Sequence, residues 1–367
     1  MNIAIILPNL CGGGAERLHV HLANDWVSRG YSVEFILMQK RGELIPLLQS
    51  GISVIDLGVE NIRSAIFPLL VYLKKSRHDV LLAAMWPLTS AVFFSWVLSG
   101  RIGRLIISDH ELLSCSYLGQ SRVHPAYLKN LIKFTYPFVD GIVAVSAGVK
   151  NDLCKLGNLK SNKVKVIYNP AATGISSLPE SQEISDALWG KDVGYHILAV
   201  GRLSVEKDYK TMIKAFYLLQ KNISAKLVIL GDGPAKDEII SFIKQHELQG
   251  YVDLPGFVTD PYPWFKSADL FVLSSLWEGF GNVIVEALEC GVPVVSTDCP
   301  SGPAEILENG RYGQLVPVGN SVAMAVAIEK SLSQTHNKEF LISRAQDFSI
   351  RKISDQYLSY LLPKYHE

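Results

Sequence analysis

The stretch Asp269–Thr297, DLFVLSSLWEGFGNVIVEALECGVPVVST, constrains this chain more than any other. Phe271–Ser275 is an apolar run of strand length, and Trp277–Asn282 holds the turn residues Gly279 and Gly281. Val283–Cys290 has room for two helical turns, which Gly291 and Pro293 stop. Val292–Ser296 reads as a second strand. Strand, glycine-broken loop, helix and strand make one βαβ unit of a parallel sheet. Such sheets bind ligands beyond the carboxyl ends of their strands, where helices begin. There the amides of Gly281, Asn282 and Val283 would face an anion, helped by the helix dipole. Glu278 and Glu286 flank that spot. Carboxylates repel phosphate but accept hydrogen bonds from sugar hydroxyls, so an amide cradle between two acids suits a sugar nucleotide. Acids favour any helix N-terminus, so neither Glu carries this reading alone; the whole string does.

The string also resembles a known family. Glu278 and Glu286, eight positions apart around GFGN and followed by Ala287, resemble the Glu-x7-Glu signature of retaining GT-B glycosyltransferases of the GT4 type. The resemblance implies an α/β chain with two Rossmann-like domains facing a central cleft. Residues 1–172 would form the acceptor side and 193–345 the sugar-nucleotide side. A helix in 346–367 would cross back to the first domain.

Bulk properties agree with two domains and narrow the partners. The 367 residues are 48 % hydrophobic, enough for two full cores, and the formal net charge is zero, which does not favour nucleic acid. Charge is nonetheless uneven. Up to Ala172 there are 18 Lys and Arg against 11 Asp and Glu; the remainder has 17 against 24. A basic first half could face an anionic membrane or a phosphorylated acceptor, or the charge could simply be solvated surface. Five widely spaced cysteines with no Cys-x-x-Cys pair suit a reducing compartment and neither a zinc site nor a disulfide framework. Asn2–Leu7 is too short and lacks the basic lead of a signal peptide. A cytoplasmic protein is expected.

In the first half, Ile3–Leu7, the loop CGGGAE (Cys11–Glu16), an amphipathic helix Ala15–Arg29 and the strand Ser32–Met38 open a nucleotide-binding-like sheet. The triple glycine does not satisfy Gly-x-Gly-x-x-Gly, because Arg17 holds the last position, so a dehydrogenase is disfavoured. The glycines either admit a ligand close to the backbone or make a tight turn. GGGAE is similar to the family's first-loop motif, which implies that Gly13 and Gly14 close over the diphosphate and face the acceptor. Val80–Gly100 has no charged residue over 21 positions and passes a membrane-span length test, but Pro87 interrupts it. A strand Val80–Met85 and a buried helix Ser90–Leu98, capped by Thr89 or Ser90, fit the alternation better. Leu105–Ser108 ends in Asp109-His110-Glu111. A lone loop histidine is commonly incidental; the resemblance implies that His110 lies near the reacting sugar and stabilises developing positive charge. Tyr117–Phe138 interleaves Arg122, Lys129 and Lys133 with Tyr127, Phe134, Tyr136 and Phe138, which suits either a helix on a membrane surface or an outer-layer helix. Gly141–Val145, a helix Ala147–Leu156 capped by Ser146, and Val164–Ile167 follow. Ala171–Val193 has the composition of a linker.

In the second half, the strand Ile197–Val200 leads into GRLSVEKD (Gly201–Asp208) and a helix Lys210–Gln220. Arg202 and Lys207 could be solvated surface charge or a diphosphate clamp. GRLSVEKD is similar to the family's second signature, which implies that these cations replace a divalent metal; no Asp-x-Asp occurs in the chain. Lys226–Leu230, the turn Gly231–Pro234, a helix Lys236–His246, the strand Tyr251–Leu254 and a short helix Tyr262–Lys266 continue the rhythm. Gly256–Val258 is similar to the segment through which family members hold the base. Cys299–Pro303 suggests a rigid loop near the donor, and Asp347–Tyr365 a final helix.

The resemblance therefore implies a retaining, metal-independent hexosyltransferase using a nucleotide sugar, expected to be a uridine diphosphate (UDP) sugar, and no cofactor. Arg202, Lys207 and the amides of Phe280, Gly281, Asn282 and Val283 would take the diphosphate. Glu286 would bind the ribose and Glu278 the donor sugar, with His110 and Glu278 as the catalytic pair. The run STDCPSGPAEIL (Ser296–Leu307) is similar to bacterial enzymes that extend lipid-linked oligosaccharides with a hexose or N-acetylhexosamine. That implies an undecaprenyl-diphosphate-linked acceptor and a peripheral position on the inner face of the cytoplasmic membrane. Two rivals stand: a sugar-nucleotide 2-epimerase of the same fold, which would form product without acceptor, and a non-catalytic sugar- or lipid-binding protein, which would not hydrolyse donor.

Overall fold

Short apolar runs separated by amphipathic helices can bury both faces of a strand only in a parallel sheet covered on two sides. The structure, a computed structural model, builds two such sheets. It describes residues 1–119, 123–174, 182–190 and 194–363. The chain divides into Met1–Pro170, with Ile350–Leu361 returning to it, and Ala171–Ser349.

The first unit holds seven strands: β1 (Asn2–Leu7), β2 (Ser32–Leu37), β3 (Ser53–Asp56), β4 (Val80–Ala84), β5 (Arg104–Asp109), β6 (Gly141–Ala144) and β7 (Val164–Val166). Their order is β3-β2-β1-β4-β5-β6-β7, all parallel. Steps from β1 run first one way and then, after β3, the other. Right-handed crossovers therefore divide the helices between the faces. The helix Gly14–Ser28 packs with Ile350–Leu361 on one face. The helices Ile62–Lys75, Leu88–Leu98, Pro125–Thr135 and Ala147–Gly157 lie in sequence on the other. Trp26 and Tyr357 are fully buried on the first of these faces, where Trp26 Nε1 donates to Ser354 Oγ at 2.9 Å.

The second unit holds β8 (Tyr195–Val200), β9 (Ala225–Leu230), β10 (Val252–Gly256), β11 (Leu270–Leu273), β12 (Val294–Thr297) and β13 (Gln314–Val316). The order β10-β9-β8-β11-β12-β13 is again all parallel. Sequence order reverses between β8 and β11, so the loops after these two strands flank the switch point where such sheets take ligands.

Several sequence expectations change. Val80–Gly100 is β4 plus the helix Leu88–Leu98, and no helix among the described residues is long and apolar enough to cross a membrane. Thr89 is inside that helix rather than capping it, and its hydroxyl meets Tyr136 Oη at 3.0 Å. Tyr117–Phe138 is not one helix. A π-helical turn Ser114–Gly119 precedes the α-helix Pro125–Thr135, which His124 caps and Tyr136–Phe138 extends as a 3-10 turn. Arg122 lies outside the described residues. The expected linker contains a helix, Gln182–Trp189, whose Trp189 is fully buried and stacks on His196. Ser146 caps its helix as expected, accepting from the Val149 amide at 3.1 Å.

Candidate active site

Four loops leave the carboxyl ends of β8, β9, β11 and β12, and close backbone contacts bind them together. Gly231 and Gly233 let the loop after β9 touch the loop after β8. A Cβ on Gly231 would lie 2.0 Å from the Gly201 carbonyl oxygen, and one on Gly233 2.4 Å from that of Leu203. The Leu276 amide donates to the Glu206 carbonyl at 2.7 Å, and Ser274 Oγ to the Lys207 carbonyl at 2.7 Å. Thr297 Oγ1, at the end of β12, donates to the Ser275 carbonyl at 2.6 Å. Ser301 Oγ donates to Gly279 O at 2.9 Å, which ties Cys299–Pro303 to the WEGFGN loop.

This scaffold sets one ion pair. Lys207 Nζ lies 2.6 Å from Glu278 Oε1, and Ser275 Oγ donates to the same oxygen at 2.6 Å. Glu278 is only 8 % exposed, so its charge depends on these partners. Burial, with Glu278 beside it, pushes the Cys299 thiol up to about 12 and keeps it neutral. Arg202 is exposed and makes no ion pair among the described residues.

The helix Asn282–Glu289 begins beside that pair. Gly281 precedes it at φ 100° and ψ 52° and, being glycine, offers no side-chain cap of its own. Its other end is a Schellman turn, with Gly291 N bonded to Leu288 O at 3.0 Å and Val292 N to Ala287 O at 3.0 Å. The Phe280 ring points inward against Phe348, 5.4 Å between centroids, so only its backbone can serve a ligand. Asn282, Val283 and Glu286 are half-buried along the first turns, and Glu286 adds to burial in pushing the Tyr262 phenol upward. Arg202, Lys207, Glu278, Phe280, Gly281, Asn282, Val283 and Glu286 are thus gathered at one edge of the second sheet.

Gly13, Gly14 and His110 lie at the carboxyl edge of the first sheet, in the other unit. Carboxylates surround the glycine loop. A Cβ on Gly12 would meet Glu43 Oε1 at 2.2 Å, and one on Gly13 would meet Glu16 Oε2 at 2.3 Å. Burial, then Glu111 and Glu43, push the Glu16 carboxyl above its ordinary value. His110 Nε2 lies 3.0 Å from Ser108 Oγ, and its Nδ1 is buried without a partner among the described residues. The His19 ring meets it edge-on at 5.2 Å. His19 Nδ1 lies 2.7 Å from the Ala15 carbonyl, which can only accept, so Nδ1 carries the proton and the unpartnered Nε2 carries a lone pair. Burial lowers His19 to about 4 and holds His110 well below the usual histidine range, with His19 a second cause. Both rings are neutral at pH 7. Asp109 is fully buried; burial pushes it up to about 7 against hydrogen bonds from Tyr136 and the Trp86 amide.

Sequence reasoning missed Ser275, Glu289, His19 and Asp109. Glu289 is fully buried and accepts from the amides of Thr173 at 3.0 Å and Gly174 at 2.6 Å. The i, i+3 spacing of Glu286 and Glu289 was the available signal, since it puts both on one helix side. A cavity of about 770 Å³ opens at the amino end of the second sheet, beside Tyr195, His196, Asp269 and Pro293, and none of the expected site residues lines it. Among the described residues no group of three or more His, Cys, Asp or Glu could hold a metal ion.

Comparison with known proteins gives the family. The profile of the family described as Glycosyl transferases group 1 matches residues 182–348, and that described as Glycosyltransferase Family 4 matches 12–173. An N-acetylgalactosamine-N,N'-diacetylbacillosaminyl-diphospho-undecaprenol 4-alpha-N-acetylgalactosaminyltransferase of Campylobacter jejuni is 31 % identical over 80 % of this chain and 75 % of its own length. The lipopolysaccharide core biosynthesis glycosyltransferase LpsE of Rhizobium meliloti is 27 % identical over 96 % of both chains. The crystal structure of Anabaena HepE with UDP and glucose superposes with a TM-score of 0.81 over 98 % of both chains at 21 % identity. The chain belongs to the GT4-type glycosyltransferases of the GT-B fold.

Proposed function

We propose that this enzyme is a retaining, metal-independent glycosyltransferase that moves a hexose or N-acetylhexosamine from a UDP sugar to a lipid-linked saccharide in bacterial surface polysaccharide or glycan assembly. The observation that carries the reading is the Lys207–Glu278 pair, on the same sheet edge as Arg202, which makes no ion pair among the described residues, and the glycine-led start of the helix Asn282–Glu289. Two fixed cations and a helix N-terminus can hold a diphosphate and absorb its growing charge as it leaves. Lys207 has a second task. By neutralising Glu278 it lets a carboxylate stand near the diphosphate, where Glu278 Oε2 accepts a hydroxyl of the donor sugar. Glu286, one turn further on, accepts from the ribose.

The bond from the anomeric carbon to the phosphate oxygen breaks first, leaving an oxocarbenium-like sugar. The acceptor hydroxyl attacks on the same face and gives its proton to a departing phosphate oxygen, so configuration is retained. Glu278 Oε1 already takes bonds from Lys207 and Ser275, which suits a hydroxyl-binding carboxylate better than a nucleophile. His110, held neutral by burial, is the catalytic histidine that the family resemblance implies. The carboxylates around Gly12 and Gly13 oppose a diphosphate at that loop and favour saccharide hydroxyls there. The saccharide's lipid is read from relatives whose names specify undecaprenol-linked acceptors. A lipid-linked acceptor in turn puts the reaction at a membrane surface, taken as the inner face of the cytoplasmic membrane.

The test is transfer from a set of UDP sugars to an undecaprenyl-diphosphate-linked saccharide in the presence of a chelator, with the product's anomeric configuration read by NMR. Retention at an undiminished rate is expected. Inversion, or loss of turnover on chelation, contradicts the mechanism.

A further inference from the structure

One face of the first unit is built unlike the rest of the surface. The helices Ile62–Lys75, Leu88–Leu98 and Pro125–Thr135 lie side by side on the same side of the sheet. Their outward residues include large apolar ones: Phe67 (72 % exposed), Val71, Phe94, Leu98, Tyr127 and Phe134 (62 %), with Phe138 just beyond. The spacing is helical and deliberate. Arg63, Phe67, Val71 and Lys75 recur at four-residue intervals on the first helix, and Phe94 and Leu98 are four apart on the second. Tyr127 and Phe134, seven apart, share a side of the third.

The charge on this layer has one sign. Across the three helices there is no Asp or Glu, and there are five Lys or Arg: Arg63, Lys74, Lys75, Lys129 and Lys133. All five are exposed, and none pairs with a described carboxylate. The carboxylates next to the layer in sequence are Glu60, Asp79 and Asp140; Asp79 accepts from the Asn2 amide and Asp140 from the Leu105 amide, each at 2.8 Å. A soluble outer helix would interleave acids with these bases and turn polar side chains outward.

We infer that this three-helix face docks the enzyme on an anionic lipid bilayer, its aromatic and aliphatic side chains entering the headgroup boundary and its lysines and arginines contacting lipid phosphates. The choice of bilayer as occupant rests on the lipid-linked acceptor proposed above. Charge also argues against a second copy of the chain, since a twofold contact through this face would set five cations against five. Aromatic rings with basic flanks and no acids are the composition that a headgroup layer accepts.

The full-length protein is to be sedimented with vesicles of phosphatidylcholine alone and with phosphatidylglycerol added. Binding is expected only with phosphatidylglycerol and should weaken as salt is raised. Phe67→Ser/Phe134→Ser and Lys74→Glu/Lys75→Glu should each lower the partition by at least about tenfold. Val322→Ser/Val326→Ser, on exposed apolar residues of the other unit, should leave it unchanged. All three variants should transfer sugar to a short-chain, detergent-free acceptor as fast as the parent, which separates docking from folding and catalysis. Equal partition of parent and face variants overturns the inference. So does equal binding to both vesicle types, or a dimer in the parent that both face variants abolish. A parent that docks as described but transfers to no acceptor counts against the functional reading alone.

Discussion

Lys207 and Glu278 are 71 residues apart in sequence and 2.6 Å apart in the structure, so each depends on a loop the other does not belong to. Lys207→Met leaves a nearly buried carboxylate without its cation. We expect a loss of about 2–4 kcal/mol of stability and of about 10²–10³ in kcat/KM, read by denaturation and by donor turnover. Adding Glu278→Gln should restore most of the stability and none of the activity, because the stranded charge is gone while the diphosphate still lacks its cation. The two glycines near this pair separate in the same way. A Cβ on Gly302 would lie 1.8 Å from the Phe280 carbonyl oxygen at a φ of 93°, so Gly302→Ala should cost about 2–4 kcal/mol. On Gly281 the nearest atom is 3.4 Å away and only the positive φ is strained, so Gly281→Ala should cost about 1 kcal/mol. Thermal unfolding of the two variants tests the contrast. Sequence gave the charged partners because their types and local strings are distinctive. Ser275 was invisible, since a serine three residues before a glutamate signals nothing until the loop geometry is known.

At the scale of elements, the helix Asn282–Glu289 carries the site at one end and the entry of the chain into its unit at the other. Glu289 takes the amides of Thr173 and Gly174, Thr173 Oγ1 meets Tyr262 Oη at 2.9 Å, and Ala172 pairs with Ser349. Glu289→Ala would leave two amides unsatisfied, at a cost of about 2–4 kcal/mol, and should speed hydrogen exchange at Thr173 and Gly174 above all others. In the other unit, the end of β5 carries a pH term. Asp109 has a folded pKa of about 7 against an ordinary 3.8, so the folded state holds its proton more tightly and the protein loses stability as pH rises between those values. Asp109→Asn removes that loss. The difference in melting temperature between variant and parent should be small near pH 4 and should grow in favour of the variant up to about pH 7. Histidine terms from His19, His21 and His110 run the opposite way below pH 6.5 but cancel in this difference. Long buried runs such as β1, β4 and β5 were readable, as was the Schellman stop at Gly291. The edge strands β3 and β13 were not, being three or four residues long with half-buried, mixed side chains. The helices Ile62–Lys75 and Ser321–Leu332 were also passed over, because no motif drew attention to them.

On the scale of the whole chain, the sequence divided its labour unevenly. The second half announces itself through GRLSVEKD and WEGFGNVIVEALE, contiguous strings that resemble the family's signatures. The first half carries the basic excess, and the structure concentrates part of it on one helical layer that no linear motif reveals, since its residues come from three separate helices. The central claim remains that two cations and a helix N-terminus in the second unit hold a nucleotide diphosphate without a metal. The direct measurement is thermal stabilisation and slow hydrolysis with a panel of uridine and guanosine diphosphate sugars in the presence of a chelator. Stabilisation by one uridine sugar, weakened in Glu286→Ala and abolished in Lys207→Met, is the result predicted. Stabilisation by none of them, or only when a divalent ion is restored, would contradict the account.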